Sequence, residues 1–167
     1  MGVSIKKLDE SDWKVYKDLR LQMLSEEPQA YSQTFGEVSK RSDDEWREKT
    51  ISGNMAALII SIDGVPVGMN GLYYENTDTV SIWGMFIKKE FRGMGLSRKL
   101  MEAIEEEIRK DTIVKKIQVF VSSSQVSAHK LYESMGYKEV KRERGKVQHG
   151  GKSYDEIFME KQVFQLY

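Results

Sequence analysis

The dipeptide Asp63-Gly64 separates two apolar runs, "MAALIISI" and "VPVGMNGLYY", and a polar turn at 75–78 leads into a third, "TVSIWGMFI". Asp-Gly between such runs is a strong hairpin signal, because both central residues of the favoured two-residue turn take positive φ. The middle of the chain is therefore expected to be three successive antiparallel strands. A dinucleotide-binding fold opens with a parallel strand-helix-strand crossover, which this order does not supply.

The flanking segments complete the pattern. Val3 and Ile5 alternate in an opening strand, and Trp13, Tyr16, Leu19, Met23 and Leu24 recur at helical spacing between possible caps at Asp9, Ser11 or Asp12 and a stop at Pro28. Ser42 and Glu45 have capping-box spacing and open a second helix through Trp46 and Ile51. Residues 26–41 between them are polar with interspersed Tyr31 and Phe35, which suits a loop or short helix covering a site. Leu96, Leu100, Ala103, Ile104 and Ile108 mark one face of a further helix, "KKIQVFV" reads as a strand, and "SAHKLYESMG" as a short helix stopped at Gly136. "YKEVKRER" and "KSYDEIFMEKQV" close the chain as strands around a glycine-rich loop at 145–151. The expectation is one α+β domain over residues 1–167, a mixed sheet of about six to seven strands flanked by about four helices.

Composition removes several function classes. Acidic and basic residues balance at 26 each, so no net field draws the chain to nucleic acid. Without cysteine there are no disulfides, thiolate metal sites or Cys nucleophile, and His129 and His149 are too few and too separated for a His-based metal site. No apolar run approaches the roughly 20 residues that a bilayer requires, and Lys6 spoils the myristoylation pattern after Gly2. A soluble, cytoplasmic protein without a metal or a membrane partner is expected.

The junction "FRGMGLSRKL", Phe91–Leu100, places Arg92, Gly93 and Gly95 where the third strand hands over to a helix. Glycines at a helix N-terminus suit phosphate, since unpaired N–H groups and the positive dipole end meet there. The spacing of Gly93 and Gly95 rules out a Walker loop, and Arg98 stands where a dinucleotide fingerprint needs glycine.

The run Met85-Phe86-Ile87 followed by Arg92-Gly93-Met94-Gly95-Leu96-Ser97 resembles the acetyl-CoA loop of the GCN5-related N-acetyltransferase (GNAT) superfamily, Arg/Gln-x-x-Gly-x-Gly/Ala, with Ser97 at the last small position. "QVSAHKLYESMGY" is similar to the superfamily's second block, matching at Ala128, Leu131, Tyr132, Gly136 and Tyr137, with Gln125 in place of the usual Asn. The resemblance implies the GNAT fold, its strands splayed at the coenzyme, and acetyl-CoA as cosubstrate. It implies that the pyrophosphate lies on main-chain N–H groups of Gly93, Met94, Gly95, Leu96 and Ser97 beside Arg92. The pantetheine arm pairs with main-chain groups of Met85, Phe86 and Ile87, and Gly84 marks a bulge there. The resemblance also implies Gln125 for the coenzyme site, and Arg98, Lys99 or Lys130 for the 3′-phosphate, with a solvated helix face as the alternative for all three.

Acetyl transfer to a primary amine by direct attack follows, with Tyr132 as the acid for the thiolate and an N–H at Ile87 for the oxyanion. An alkylamine with a pKa of about 10 is roughly a thousandfold short of its neutral form at pH 7, so a base or water relay is needed. Glu75 is the nearest acidic candidate, with an ordinary turn carboxylate as the alternative; His129 reads as a surface residue, and His149 sits in the kind of loop that in the family often reaches the acceptor. Tyr31, Phe35, Tyr73, Tyr74 and Trp83 are candidates for an aromatic acceptor cleft, with core packing as the alternative for Trp83 and one of the adjacent tyrosines. A small amine or amino-acid-like acceptor is favoured. A protein N-terminus or lysine, or coenzyme binding without turnover, are the alternatives, and a homodimer is compatible with all of them.

Overall fold

The computed structural model describes residues 1–50 and 52–164, so the expectation for Ile51 lies outside the described residues. In chain order the elements are β1 (Val3–Lys7), α1 (Trp13–Glu26), α2 (Phe35–Val38), α3 (Asp43–Thr50), β2 (Met55–Ile62), β3 (Val65–Tyr74) and β4 (Thr79–Ile87). They continue with α4 (Leu96–Arg109), β5 (Lys116–Ser122), α5 (Val126–Ser134), β6 (Lys138–His149) and β7 (Lys152–Gln162). The strands form one seven-stranded sheet in the order β1-β2-β3-β4-β5-β7-β6, antiparallel throughout except for the β4–β5 pair.

Local chemistry accounts for the elements. Asp63 and Gly64 both take positive φ, at 48° and 81°, and bring Ile62 opposite Val65. The capping box at α3 is formed: Ser42 N–H donates to Glu45 Oε2 at 2.6 Å and Glu45 N–H to Ser42 Oγ at 3.2 Å. Thr34 and Glu37 make the same reciprocal pair at α2, a short helix inside the segment expected to cover a site. The sequence reading of a loop at 145–151 is corrected: β6 runs on to His149 and returns through Gly150 and Gly151. A bulge between Glu143 and Val147 absorbs the extra residues, with Gly145 N–H donating to Asp155 Oδ1 at 3.2 Å. A tight turn keeps the backbone paired where glycine content alone suggested it would leave the sheet.

The sheet divides the core in two. On one side Leu96, Leu100, Met101, Ile104 and Ile108 of α4 pack on Ile60, Val80, Ile82 and Ile117. On the other, Tyr16, Leu19, Met23 and Leu24 of α1 pack with Trp46, Ile59, Met69 and Phe86. One buried charge ties the first side together. Glu105 on α4 accepts from Tyr137 Oη at 2.7 Å, Lys161 Nζ at 2.8 Å and Arg109 Nη2 at 2.9 Å, so the carboxylate keeps its partners although it lies out of water.

Two features of β4 set up the site. Trp83 pairs with Gly71 and Phe86 with Met69, so Gly84 and Met85 together oppose Asn70 in a β-bulge. The extra residue reverses facing: before it, Ile82 lies on the α4 side and Trp83 on the α1 side, and after it Phe86 lies on the α1 side and Ile87 on the α4 side. Pairing of β4 with β5 stops at Ile82 and Val119, while β5 stays paired with β7 to Ser122. The splayed strands that the resemblance implied are present.

Packing at the bulge is tight. A Cβ on Gly71 would lie 2.3 Å from Trp83 Cε2, and the half-buried indole packs against the α1-side core, so one of the two must shift. Gly71→Ala should therefore cost about 1–3 kcal/mol, as overpacked cores do, and lower Tm by roughly 2–4 °C for each kcal/mol in a thermal melt. An unchanged Tm would mean that Trp83 is free to move.

Candidate active site

A cleft of about 1000 Å³ opens where β4 leaves β5. Trp83, Gly84 and Met85 form one side, Phe120, Val121 and Ser122 the other, and Tyr132 on α5 closes the inner end. The segment after α1 folds over it, placing Tyr31 in the wall. Tyr73, Glu75 and Trp83 also line the cleft, as does His149. Tyr74 instead packs on the α4-side core, and Phe35 is exposed to solvent, so the expected aromatic wall is made by three of its five candidates. His129 stands on the outer face of α5 within 3.7 Å of Glu133 and 3.9 Å of Glu139, outside the cleft lining.

Tyr132 is 4% exposed, packed edge-on against Tyr137, and its hydroxyl makes no hydrogen bond to any described residue. Burial pushes its phenol well above the usual range and the nearby Glu27 carboxylate pushes it further, so the group holds its proton at neutral pH. Across the cleft, Tyr31 Oη donates to the Met85 carbonyl at 3.0 Å and lies 3.4 Å from Glu27 Oε2. Its phenol too is raised, first by burial and then by Glu27.

The unpaired edge of β4 is thus partly occupied by side chains. Arg92 Nε donates to the Ile87 carbonyl at 2.9 Å, and its Nη atoms reach Glu26 and Glu27, each at 3.4 Å. Arg92 is turned back toward β4 and the end of α1, bracing the strand against the helix. Phe86 and Ile87 have buried side chains, at 1% and 5% exposure, so they offer a ligand only their main-chain groups. The 54-residue separation of Tyr31 from Met85 explains why sequence pattern carried no sign of that bond.

The loop before α4 has the conformation its glycines suggested. Gly93 and Gly95 sit at φ 77° and 74°, and a Cβ on either would meet nothing within 4 Å, so backbone conformation selects glycine here and the space above stays open. The first helical bond is Lys99 N–H to Gly95 O, at 3.2 Å. The N–H groups of Gly93, Met94, Gly95, Leu96 and Ser97 meet no acceptor among the described residues. Leu96 is buried beneath them and anchors the helix start to the sheet, while Met94 is 40% exposed. A row of free N–H groups at a helix N-terminus is able to receive an anion.

Other expected residues are nearby. Gln125 Oε1 accepts from Ser122 N–H at 3.3 Å and turns the chain from β5 into α5, at the cleft wall. Lys130 is exposed on α5, and Arg98 donates to Ser134 Oγ at 2.6 Å, linking α4 to α5. Glu75 Oε1 accepts from Ser81 Oγ at 2.7 Å at the cleft edge. Sequence reasoning missed Arg20, on α1, and Arg41, in the loop before α3, which both line the cleft; a single arginine in a polar stretch reads as surface charge. Among the described residues no group of three or more His, Asp or Glu is placed to hold a metal ion, and no helix is long and apolar enough to cross a membrane.

With this geometry in view, known proteins are informative. The family model described as acetyltransferase (GNAT) domain matches residues 16–150. No curated protein sequence matches significantly. Among solved structures, an acetyltransferase of GNAT family from Streptococcus pneumoniae superposes with a TM-score of 0.82 at 19% identity, over 97% of this chain and 100% of that one. The yncA protein of Salmonella typhimurium, solved with its cofactor acetyl-CoA, gives 0.82 at 17% identity over 100% and 97%. A ribosomal-protein-alanine N-acetyltransferase from Brucella melitensis gives 0.74 at 17% identity over 96% and 99%. The matched model spans the lid segment, the splayed strands, the glycine loop and the Tyr132 helix, and the chain belongs to the GNAT family of acetyltransferases, enzymes that use acetyl-CoA.

Proposed function

We propose that this enzyme acetylates the primary amine of a small, amino-acid-like acceptor by direct attack on acetyl-CoA. The observation that carries the reading is the protonated, unpartnered Tyr132 phenol at the inner end of a cleft whose other side is the unpaired edge of β4. The coenzyme's pyrophosphate lies on the free N–H groups of residues 93–97, and its pantetheine arm runs along the main chain of Met85–Ile87. Arg92 braces that edge, Gln125 shapes the opposite wall, and Lys130, exposed on α5, is a cation for the 3′-phosphate. A cytoplasmic setting, where acetyl-CoA is available, goes with the reading.

The amine nitrogen attacks the thioester carbonyl, forming the C–N bond and a tetrahedral oxyanion that the Ile87 N–H stabilises. Collapse breaks the C–S bond, and the Tyr132 proton passes to the departing thiolate. The proton lost by the amine leaves through water toward Glu75, whose carboxylate lies at the cleft edge beside Ser81. A dedicated base in contact with the amine is unnecessary if a relay supplies the small neutral fraction.

Thermal melts with acetyl-CoA, CoA and NADH test the coenzyme assignment. A ligand at about 100 times its Kd adds about 2.7 kcal/mol, so acetyl-CoA and CoA should raise Tm by several degrees and NADH should not. No shift with either coenzyme would overturn the proposal. Gly95→Ala places a side chain at φ 74°, which costs roughly 1–2 kcal/mol and tilts an N–H out of the row; acetyl-CoA affinity should fall about tenfold or more by calorimetry.

Tyr132→Phe keeps the packing and removes the proton. We expect kcat for thiol release to fall about 10²–10⁴-fold, with the Kd for acetyl-CoA little changed. Because burial raises this phenol, the wild-type rate should not decline from loss of the Tyr132 proton below about pH 10. The linkage has the matching sign: a raised phenol contributes stability that is present below about pH 10 and lost as pH rises above it. A variant as fast as wild type would remove Tyr132 from the chemistry.

A further inference from the structure

We infer that the acceptor carries a carboxylate next to its amine, and that Arg20 and Arg41 in the cleft wall hold it. This rests on the acyl-transfer reading of the same cleft and narrows the acceptor to a free amino acid or a close analogue.

Arg20 projects from α1 onto the bulge itself. A Cβ on Gly84 would lie 3.4 Å from Arg20 Nη1, so the guanidinium covers the point where β4 turns away from β5. It stacks on the Trp83 ring at 5.2 Å, donates to Gln33 Oε1 at 2.7 Å, and touches Met23 Sδ at 3.8 Å. Arg41 stacks on Trp46 at 5.2 Å, and its side chain makes no hydrogen bond to a described residue. Among the described residues neither arginine joins an ion pair, although most other arginines of the chain do.

Two guanidiniums facing one cavity with no ion-pair partner among the described residues is an unfinished arrangement. Burial lowers the Arg20 pKa, the phenols of Tyr16 and Tyr31 act against that, and repulsion from Arg41 adds to it. The carboxylates that share the cleft relieve this only in part. Glu45 accepts from the Ser42 N–H and its carboxylate feels the Arg41 charge without forming an ion pair, Glu75 accepts from Ser81, and among the described residues neither Glu48 nor Glu156 pairs with either arginine. An arriving anion would restore the balance, and the planar fork of a guanidinium fits a carboxylate with two parallel hydrogen bonds.

The placement also fits the reaction. In an α-amino acid the carboxylate is separated from the nitrogen by a single carbon. An amine brought to the open edge of β4 at Met85 therefore carries its carboxylate to the guanidinium over Gly84. Tyr31, Tyr73 and Trp83 are left to receive the side chain. A polyamine or a protein lysine brings no such anion and would meet two cations.

The test is equilibrium binding of the proteinogenic L-amino acids, each beside the amine left by its decarboxylation and its carboxamide, to the full-length protein with and without saturating CoA. At least one amino acid should bind tenfold or more tightly than its amine and its amide. Arg20→Gln and Arg41→Gln should each erase that preference, weakening the amino acid about a hundredfold for Arg20, while acetyl-CoA still binds. Arg20→Lys, which keeps the charge and loses the fork, should recover only part of it. Amines or amides that bind as well as the acids, or no amino acid binding to a protein that does bind acetyl-CoA, would overturn the inference. A protein that fails to bind acetyl-CoA yet selects amino acids through these arginines would leave the inference standing and sink the coenzyme reading instead.

Discussion

The architecture depends on one extra residue. Gly84 and Met85 facing Asn70 bend β4 away from β5, and everything at the site follows from the strand edge this exposes. Asn70 is fully buried and its Nδ2 donates to the Leu100 carbonyl at 3.1 Å, so the strand opposite the bulge is pinned to α4 just where regular pairing fails. Gly84 takes φ 62°, a conformation that disfavours any side chain, and its missing Cβ also lets Arg20 close over the bulge.

An exposed strand edge has a cost, since main-chain groups that lose their ladder partners must find others or remain in water. Here the two carbonyls flanking Phe86 are met by side chains, Met85 by the Tyr31 phenol and Ile87 by Arg92 Nε. Those bonds keep the edge from pairing with β5 or another chain, and they fasten the segment after α1 across the cleft. Glu26 and Glu27 complete the brace through Arg92. The segment after α1 and the strand edge are one hydrogen-bonded unit.

Electrostatics divide the labour around the opening. At the start of α4 a row of neutral N–H groups is left without acceptors among the described residues, and the side-chain cations there are turned aside, Arg92 to α1 and Arg98 to Ser134. The charged guanidiniums lie instead on the acceptor side, stacked on indoles that hold their geometry. Between them stand two buried phenols that the low-polarity surroundings keep protonated. Such a cleft can hold negative charge at both ends and deliver a proton in the middle.

Legibility followed the range of the interaction. The Asp63-Gly64 hairpin, the capping box at Ser42 and Glu45, the α4 stripe and the left-handed Gly93 and Gly95 are set by neighbours within about one turn, and each was readable from residue order. The bulge at Gly84 and Tyr132 at the cleft were reachable through resemblance to a family, because two blocks of matching residues stand in the right order. What failed was of two kinds. The 145–151 segment looked like a loop because its glycines were weighed without the bulge at Gly145 that keeps β6 in register. Phe35 was misjudged, and Arg20 and Arg41 were missed, because the path of each segment over the sheet, not composition, decides which side chains enter a cavity; of the adjacent Tyr73 and Tyr74 one was expected in the core, and strand parity puts Tyr74 there. The sequence by itself determined the element order, the turns and the phosphate loop, since these are local bargains between φ/ψ, caps and side-chain periodicity. Only the tertiary structure decided that Tyr31 and Arg92 cap the β4 edge and that Arg20 and Arg41 share a cleft with no ion-pair partner among the described residues, because those contacts join segments tens of residues apart and exist only once both faces of the sheet are packed.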